Sequence, residues 1–362
     1  MQASLPPFHC SYLPAFSELL AQLECSLLIS TYQAGKVIAL SSNGEQICQL
    51  PRTFNSPMGL ALDKNLLAVA TKEEIVLLAN SAELAQTYPT KPGCYDGIFV
   101  PRGILYTGQL AVHDLAWVNG SLVGVNTSFS CISKFDHTFS FTPVWKPAFI
   151  SELQHEDRCH LNGMAIEGGE VKYATALGTT DTAQGWRPGK ARDGVLMDVQ
   201  TNEIILGGLP MPHSPRLING QLLLLLSATG EIVRVDPRTC RYEVITRVNG
   251  FVRGMDCCGD YLFVTTSKLR KTHTFGDLEL ARKELFCGIT AIHLPTGSLV
   301  AQLRYDNSCE EIYDLRVLSG IRRPNLLRHD QEVHRHAVAT PEATFWATPQ
   351  VTHNPQPQKQ TV

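Results

Sequence analysis

Short apolar runs alternate with polar clusters along most of the chain, and the alternation repeats. Six times an apolar strand opens just after polar, ring-bearing or charged residues, at intervals of about 40 to 60 residues. The openings are Met58-Gly59-Leu60-Ala61-Leu62, His113-Asp114-Leu115-Ala116-Trp117, Asn162-Gly163-Met164-Ala165-Ile166, Ser214-Pro215-Arg216-Leu217-Ile218, Arg253-Gly254-Met255-Asp256 and Ile312-Tyr313-Asp314-Leu315-Arg316. Short strands with a period of this size are how β-propeller blades read in sequence. Blades are arranged radially, so the openings are expected to meet around one central axis.

Within a repeat the grammar is that of tight hairpins. After His113 come Leu115–Val118, a turn at Asn119-Gly120, then Leu122–Val125 and Ile132–Phe135. After Ser214 come Leu217-Ile218, Asn219-Gly220, Leu222–Leu226 and Ile232–Val235. Asn-Gly pairs suit the left-handed geometry of two-residue hairpin turns, and the flanking runs have strand length and composition. The same order recurs from Gly254 to Val264, turning at Cys258-Gly259-Asp260, and from Met58 to Leu78. Helical patterning is confined to Phe16–Glu24 and to one short stretch within Phe275–Leu285. The fold class predicted is therefore all-β, a β-propeller.

Ring closure is legible at the two ends. The opening at Ile312–Leu318 has no room for a whole blade before Pro324 and a polar tail, while Leu27–Tyr32 and Lys36–Leu40 are strands with no opening before them. Joined, they complete one composite blade and a six-bladed ring, removing the exposed edges that invite aggregation. Seven blades are the alternative, with extra strands hidden near Tyr88–Gly108 and Phe141–Leu161. The expected organisation is an N-terminal segment with a short helix (1–25), the propeller (26–327) and a polar, disordered tail (328–362), most firmly over Gln350–Val362.

The chain has 362 residues, 44% hydrophobic and 18% charged, which is ample for one large core. A net charge of −3 gives no general attraction to nucleic acid or to anionic membranes. No apolar run approaches the roughly 20 residues of a membrane span, and Met1–Pro7 lacks a secretory pattern. The eleven cysteines are scattered without paired CxxC spacing, so they read as buried thiols and the compartment as cytoplasmic. Cys257-Cys258 and Cys159 are the two places where a reactive thiol would stand.

Many distinct strings in order carry a family resemblance: STYQAGKV from Ser30, PRTFNSPMGLAL from Pro51, TGQLAVHDLAW from Thr107, VWKPAFISEL from Val144, EDRCHLNGMAI from Glu156, MPHSPR from Met211, FVRGMD from Phe251, CGITAIHLPTG from Cys287 and EEIYDLRVLSG from Glu310. Over roughly residues 15–327 the chain resembles a largely bacterial family of conserved hypothetical proteins. Members sometimes occur beside tetratricopeptide repeats, and the resemblance brings no established activity. Ser227-Ala228-Thr229-Gly230 stands where the family more usually has SGTG, and Gln109 where it often has an acidic residue.

Candidate chemistry gathers at the openings. Inner strands of a propeller run in one direction, so strand starts share one mouth of the channel. His113 and His160 flank two successive openings, His213 precedes a third, and Asn162 begins the second. Arg216 and Arg253 add positive charge, and Asp114, Glu310, Glu311 and Asp314 add carboxylates. Imidazoles from separate blades can hold a transition metal with carboxylate support. The expected metal set is His113, His160, His213, Asn162 and Glu311 around one divalent ion. The expected catalytic set is His113, His160, His213, Arg216 and Arg253, with a histidine as general base and the arginines holding developing negative charge. The plainer alternative is that these side chains hydrogen-bond neighbouring blades.

Asn162-Gly163-Met164-Ala165 is also similar to the segment by which gluconolactonase- and regucalcin-like propellers present an asparagine oxygen to a divalent cation, where an oxygen-rich site suits calcium or magnesium. Glu311 and Asp114 are the nearest counterparts of their other ligands, and the resemblance implies a calcium-dependent hydrolase. Arg52, Arg102, Arg158, Arg187 and Arg192, with Lys36 and Lys190, form a scattered cationic set able to clamp a carboxylate or phosphate. The polar insertion Thr179–Arg192 carries an exposed-looking Trp186 and reads as a lid or recognition loop. No phosphate loop, GxSxG elbow or HExxH is present. The function expected is binding of, or metal-assisted lyase, isomerase or hydrolase chemistry on, a small anionic or carbonyl-bearing molecule. The alternative is a non-catalytic scaffold for a protein or ligand partner. Partnership with nucleic acid or membrane is not expected.

Overall fold

The computed structural model describes residues 5–269 and 278–347. Six small antiparallel sheets stand in a ring, each contributing its first strand to the axis. The first blade runs outward through Leu60–Asp63, Leu66–Ala70, Glu74–Asn80 and Gly97–Tyr106. The second uses Val112–Val118, Ser121–Asn126, Cys131–Phe135 and Thr142–Trp145. The third uses Leu161–Glu167, Glu170–Ala176, Gly194–Asp198 and Ile204–Leu209. The fourth uses Pro212–Ile218, Gln221–Leu226, Glu231–Asp236 and Arg241–Arg247. The fifth uses Phe251–Cys258, Tyr261–Ser267, Gly288–His293 and Ser298–Tyr305. This is the six-bladed propeller, and seven blades are excluded by where the suspect segments go. Gly97–Tyr106 and Thr142–Trp145 are the outer strands of the first and second blades.

Burial explains the strand compositions. Blades pack face to face, so a second strand is covered on both sides and reads as a continuous apolar run, as in the wholly buried Leu222–Leu226. Outer strands meet solvent, and Arg241–Arg247 is correspondingly mixed and largely exposed. The Asn-Gly hairpins have the expected left-handed pairs, with φ of 48° and 76° at Asn119-Gly120 and 50° and 72° at Asn219-Gly220.

The sixth blade closes the ring from both ends of the chain. Asp314–Ser319 is its inner strand, followed outward by Cys25–Thr31, Lys36–Ser42 and Ile47–Thr53. Cys25 pairs with Ser319 and Ser30 with Asp314, so the register is continuous across the closure. The expected composite blade is therefore present.

Both termini are more integrated than the sequence suggested. Cys10–Tyr12 adds a fifth strand to the fifth blade, and the helix Pro14–Gln22 buries Phe16, Leu19 and Leu20 beside the fifth and sixth blades. Proline at the helix start lacks a donor that the first turn could not have used. The tail expected to be disordered from residue 328 is instead structured through residue 347. Pro324–Leu326 pairs in parallel with the strand beginning at Gly97, and Ala337–Ala339 forms a hairpin with Thr344–Trp346. The indole of Trp346 donates to the Leu84 carbonyl at 3.0 Å and packs on Tyr88. A few apolar side chains in a polar stretch were enough to dock it. The disorder expected over Gln350–Val362 lies outside the described residues, as does part of Phe275–Leu285; in its described part Glu279–Arg282 forms a short 3₁₀ turn.

At the axis the six inner strands carry Gly59, Asp114, Gly163, Ser214, Gly254 and Asp314 in turn. Glycine and a polar side chain alternate because the strands approach too closely for six side chains. A Cβ on Gly254 would lie 2.8 Å from the Asp314 Cα, and one on Gly163 2.5 Å from the Pro215 ring. The polar residues then bind the next blade. Asp114 accepts from the Met164 amide at 3.1 Å, Asp314 accepts from the Leu60 amide at 2.9 Å, and Ser214 donates to the Arg253 carbonyl. Arg216 completes a two-pronged pair with Asp114 at 2.7 and 2.9 Å, and Arg316 joins Asp314 at 2.8 Å and Asp114 at 3.4 Å. This buried network plugs the channel.

Two outcomes are expected. Deleting residues 1–40 removes one strand and most of a second from the sixth blade, with the edge strand Cys10–Tyr12 of the fifth, so the cooperative unfolding transition of the whole ring should be lost. A truncated protein melting as the intact chain does would contradict that closure. Asp114→Asn strips Arg216 of its two-pronged partner and leaves Asp314 as the one carboxylate against two buried guanidiniums, and should cost about 3 to 5 kcal/mol in urea unfolding. A loss below about 1 kcal/mol would show that the plug does not hold the blades.

Candidate functional site

Above the plug, the mouth at which the inner strands begin opens into a cavity of about 410 Å³. Its floor includes Met58, His113, Arg253 and Tyr313, each one residue before an axial position of its blade. His160, Asp157, Trp186, Arg187, Lys72, Lys268 and Glu311 form its sides.

The histidines are not equivalent. His113 and His213 occupy the same position in the second and fourth blades, and Asn162 holds it in the third. His160 stands two residues earlier, where the other blades place Ala111 and Met211, and all three have positive φ (51°, 51° and 56°). Each ring-position histidine is pinned by the same device. The His113 Nδ1 lies 2.8 Å from the Ala111 carbonyl and 2.7 Å from Thr127 Oγ1, while Thr127 donates to the Leu161 carbonyl of the next blade at 2.6 Å. The His213 Nδ1 lies 3.1 Å from the Met211 carbonyl and 2.8 Å from Ser227 Oγ, and Ser227 donates to the Val252 carbonyl at 2.5 Å. A carbonyl only accepts, so Nδ1 carries the proton in both rings and Nε2 carries the lone pair. Desolvation holds both imidazoles well below the ordinary histidine range, with the His160 ring adding to the effect at His113 and the Arg253 cation at His213.

His160 is fixed differently. Its Nδ1 lies 2.9 Å from Asp157 Oδ2, and the same oxygen accepts from the Trp186 indole at 3.1 Å. The Trp186 ring lies 4.3 Å from the His160 ring and tilted over it, and the His113 ring meets it edge-on at 4.9 Å. Trp186 is 4% exposed, so the exposed-looking tryptophan of the insertion is in fact a buried wall, packed with Leu177, Met211 and Phe251. Asp157 was not among the sequence candidates, and Trp186 was singled out only as an exposed-looking part of a lid or recognition loop. The signal was present for one of them, since Asp157 precedes His160 by three residues.

The mouth gathers His113, His160 and Arg253, with Glu311 paired to Arg253 at 2.9 Å. His213 lies beneath Phe251, with ring centres 6.1 Å apart, and does not line the cavity; its Nε2 is buried without a hydrogen-bond partner among the described residues. Arg216 belongs to the plug and the opposite mouth, because a residue three places along an inner strand is carried roughly 10 Å down the channel. It cannot stabilise charge beside His113. Asn162 is also absent from the cavity: its amide donates to the Pro212 carbonyl at 3.0 Å and its oxygen accepts from Thr175 at 2.7 Å. Asp114 is held by Arg216, Arg316 and the Met164 amide, which removes the calcium-type ligand set.

The expected metal donors therefore do not form one shell. Among the described residues no group of three or more His, Cys, Asp or Glu side chains is placed to share an ion. The scattered cations do not converge either. Arg52 bonds the Leu326 carbonyl and Arg158 pairs with Glu156 and Asp181, leaving Arg187 as the one of that set on the cavity wall. Burial pushes the Cys159 thiol up to about 12 and the Cys257 thiol up to about 11, so neither is an activated thiolate. Among the described residues no helix is long and apolar enough to cross a membrane.

Comparison with known proteins supports the architecture and names a family. A chain in the crystal structure of a nidogen/laminin complex superposes with a TM-score of 0.53 at 12% identity, covering 82% of this chain and 99% of that one. At that identity the likeness concerns the propeller fold alone. Comparison with curated proteins gives no match. Residues 14–327, the ring with its N-terminal helix, match the domain of unknown function DUF4915, and the chain belongs to that family.

Proposed function

We propose that this propeller binds a small carboxylate-bearing molecule in the mouth cavity. The observation that carries the reading is the charge of the lining. Among the described residues that line it, Lys72, Arg187, Arg253 and Lys268 stand with the carboxylates of Asp157 and Glu311, and the three lining histidines add no negative charge. The chain as a whole is slightly acidic, so this cationic concavity runs against its average. The cavity suits a ligand of a few to about a dozen heavy atoms, and its aromatic wall of Tyr32, Trp186, Phe251 and Tyr313 would cover the carbon skeleton. No step through a metal is invoked, because the available donors do not gather around one.

Titration calorimetry of the full chain with simple carboxylates is the direct test. At least one should bind with 1:1 stoichiometry and weaken as salt is raised. Lys72 and Lys268 lie on the rim, and the Lys72→Ala and Lys268→Ala changes should each weaken that carboxylate by about three- to tenfold, with little change in melting temperature. Affinity indifferent to both substitutions and to salt would remove the anion reading.

The neutral histidines predict a pH dependence with a definite sign. The folded chain resists protonating His113 and His213, whereas the unfolded chain protonates them near the ordinary histidine value of 6.5. Stability is therefore complete above about that pH and is lost as pH falls toward the lower folded values. Urea midpoints should drop between pH 7 and pH 5, and the drop should shrink in the His113→Gln/His213→Gln double variant. A drop of equal size in the double variant would assign the acid sensitivity to other groups.

A further inference from the structure

We infer that His113 and the Asp157–His160 pair form a hydroxyl-reading subsite, so that the anion this cavity selects is a hydroxy carboxylate. The inference rests on the cavity being an anion site and adds the second half of the ligand's chemistry.

The argument is one of proton inventory. His113 Nδ1 points at a carbonyl, and the adjacent Thr127 hydroxyl already spends its proton on Leu161, so neither can supply a hydrogen to the ring. His113 Nδ1 must donate, and its Nε2 can then only accept. His160 Nδ1 faces the Asp157 carboxylate, which is itself held by the Trp186 indole. That ring too keeps its proton on Nδ1 and presents a lone pair at Nε2. Neither Nε2 has a protein partner among the described residues, and both rings line the cavity. Trp186 against one face of His160 and His113 at its edge leave the ring little freedom to turn away.

Two acceptors side by side repel a bare carboxylate and welcome a group with a proton to give. The lysines and arginines of the wall meet the opposite need, since they only donate. A ligand satisfying both carries a carboxylate at one end and at least one hydroxyl at the other. A deoxy analogue would leave an imidazole lone pair unmatched in a half-buried site, and sites built to bind a hydroxyl reject analogues that lack it.

The test uses matched pairs on the intact protein at pH 8: glycolate against acetate, lactate against propionate, tartrate against succinate, and gluconate against hexanoate. In at least one pair the hydroxylated member should bind at least about tenfold more tightly. His160→Phe keeps a ring against Trp186 but removes Nε2, and should bring the affinity ratio of that pair toward one. His113→Gln serves the same purpose should His160→Phe fail to fold by circular dichroism. Equal affinities within every pair would overturn the hydroxyl subsite while leaving the anion site standing. So would a His160→Phe protein that weakens both members and preserves their ratio, because that is what a merely structural ring would do. Absence of binding by every carboxylate would overturn the anion site and this inference together.

Discussion

Everything in this ring depends on how closely six strands can approach one axis. The spacing leaves room for three side chains, and the chain fills alternate places with glycine so that Asp114, Ser214 and Asp314 can reach across to the next blade. Two of those three are carboxylates, and a buried carboxylate is costly unless its charge is met. Burial raises the Asp314 carboxyl, and the Arg316 and Arg216 guanidiniums pull it back down. The arginines are therefore part of how the ring closes, and this is why Arg216 is unavailable to the mouth. The plug also turns a channel into two blind pockets. A pore would pass water; a floored cavity can hold a ligand.

A second device, repeated between blades, decides what the floor of the mouth presents. A hydroxyl at or just past the end of a blade's second strand donates to a carbonyl at or just before the next inner strand: Thr127 to Leu161, Ser227 to Val252 and Ser267 to Ile312. In two of these blades the same hydroxyl sits beside a histidine Nδ1. His113 and His213 thus serve the architecture through one nitrogen and leave the other uncommitted. What lies over them separates their fates. Phe251 covers His213, whereas the cavity lies over His113. The His113 ring is thus committed to the fold through Nδ1, and on the proposed reading Nε2 is what it offers a ligand.

The ring was legible in the sequence because its physics is local and periodic. Each inner strand opens with the same polar-to-apolar step, each hairpin turns on residues that tolerate positive φ, and Leu27–Leu40 and Ile312–Leu318 each lack what the other supplies. The site was legible only in part. Position along a strand fixes height in the channel, so His113 and Arg253 read correctly as mouth residues, while Arg216, a few places further on, did not. His160 was grouped with His113 and His213 although it precedes the ring position, which Asn162 holds. Asp157 was missed, and Trp186 read as exposed, for a different reason. Their roles depend on how the segment 154–193 folds back over the mouth, and no period constrains such a loop.

That loop carries the part of the site that the ring itself cannot supply. Asp157 and His160 both have positive φ, at 48° and 51°, an uncommon conformation for residues with a Cβ. Such backbone persists when surrounding contacts over-determine it. Here they do: Arg158 is tied to Glu156 and Asp181, Gln184 donates to the Glu156 carbonyl at 3.0 Å, and Trp186 is buried against the ring. The conformation aims a carboxylate at one nitrogen of His160, and the indole of the same loop lies tilted over its ring. A rigid blade edge would hold a histidine in any propeller. Orienting its proton takes the Asp157 carboxylate, which this loop supplies.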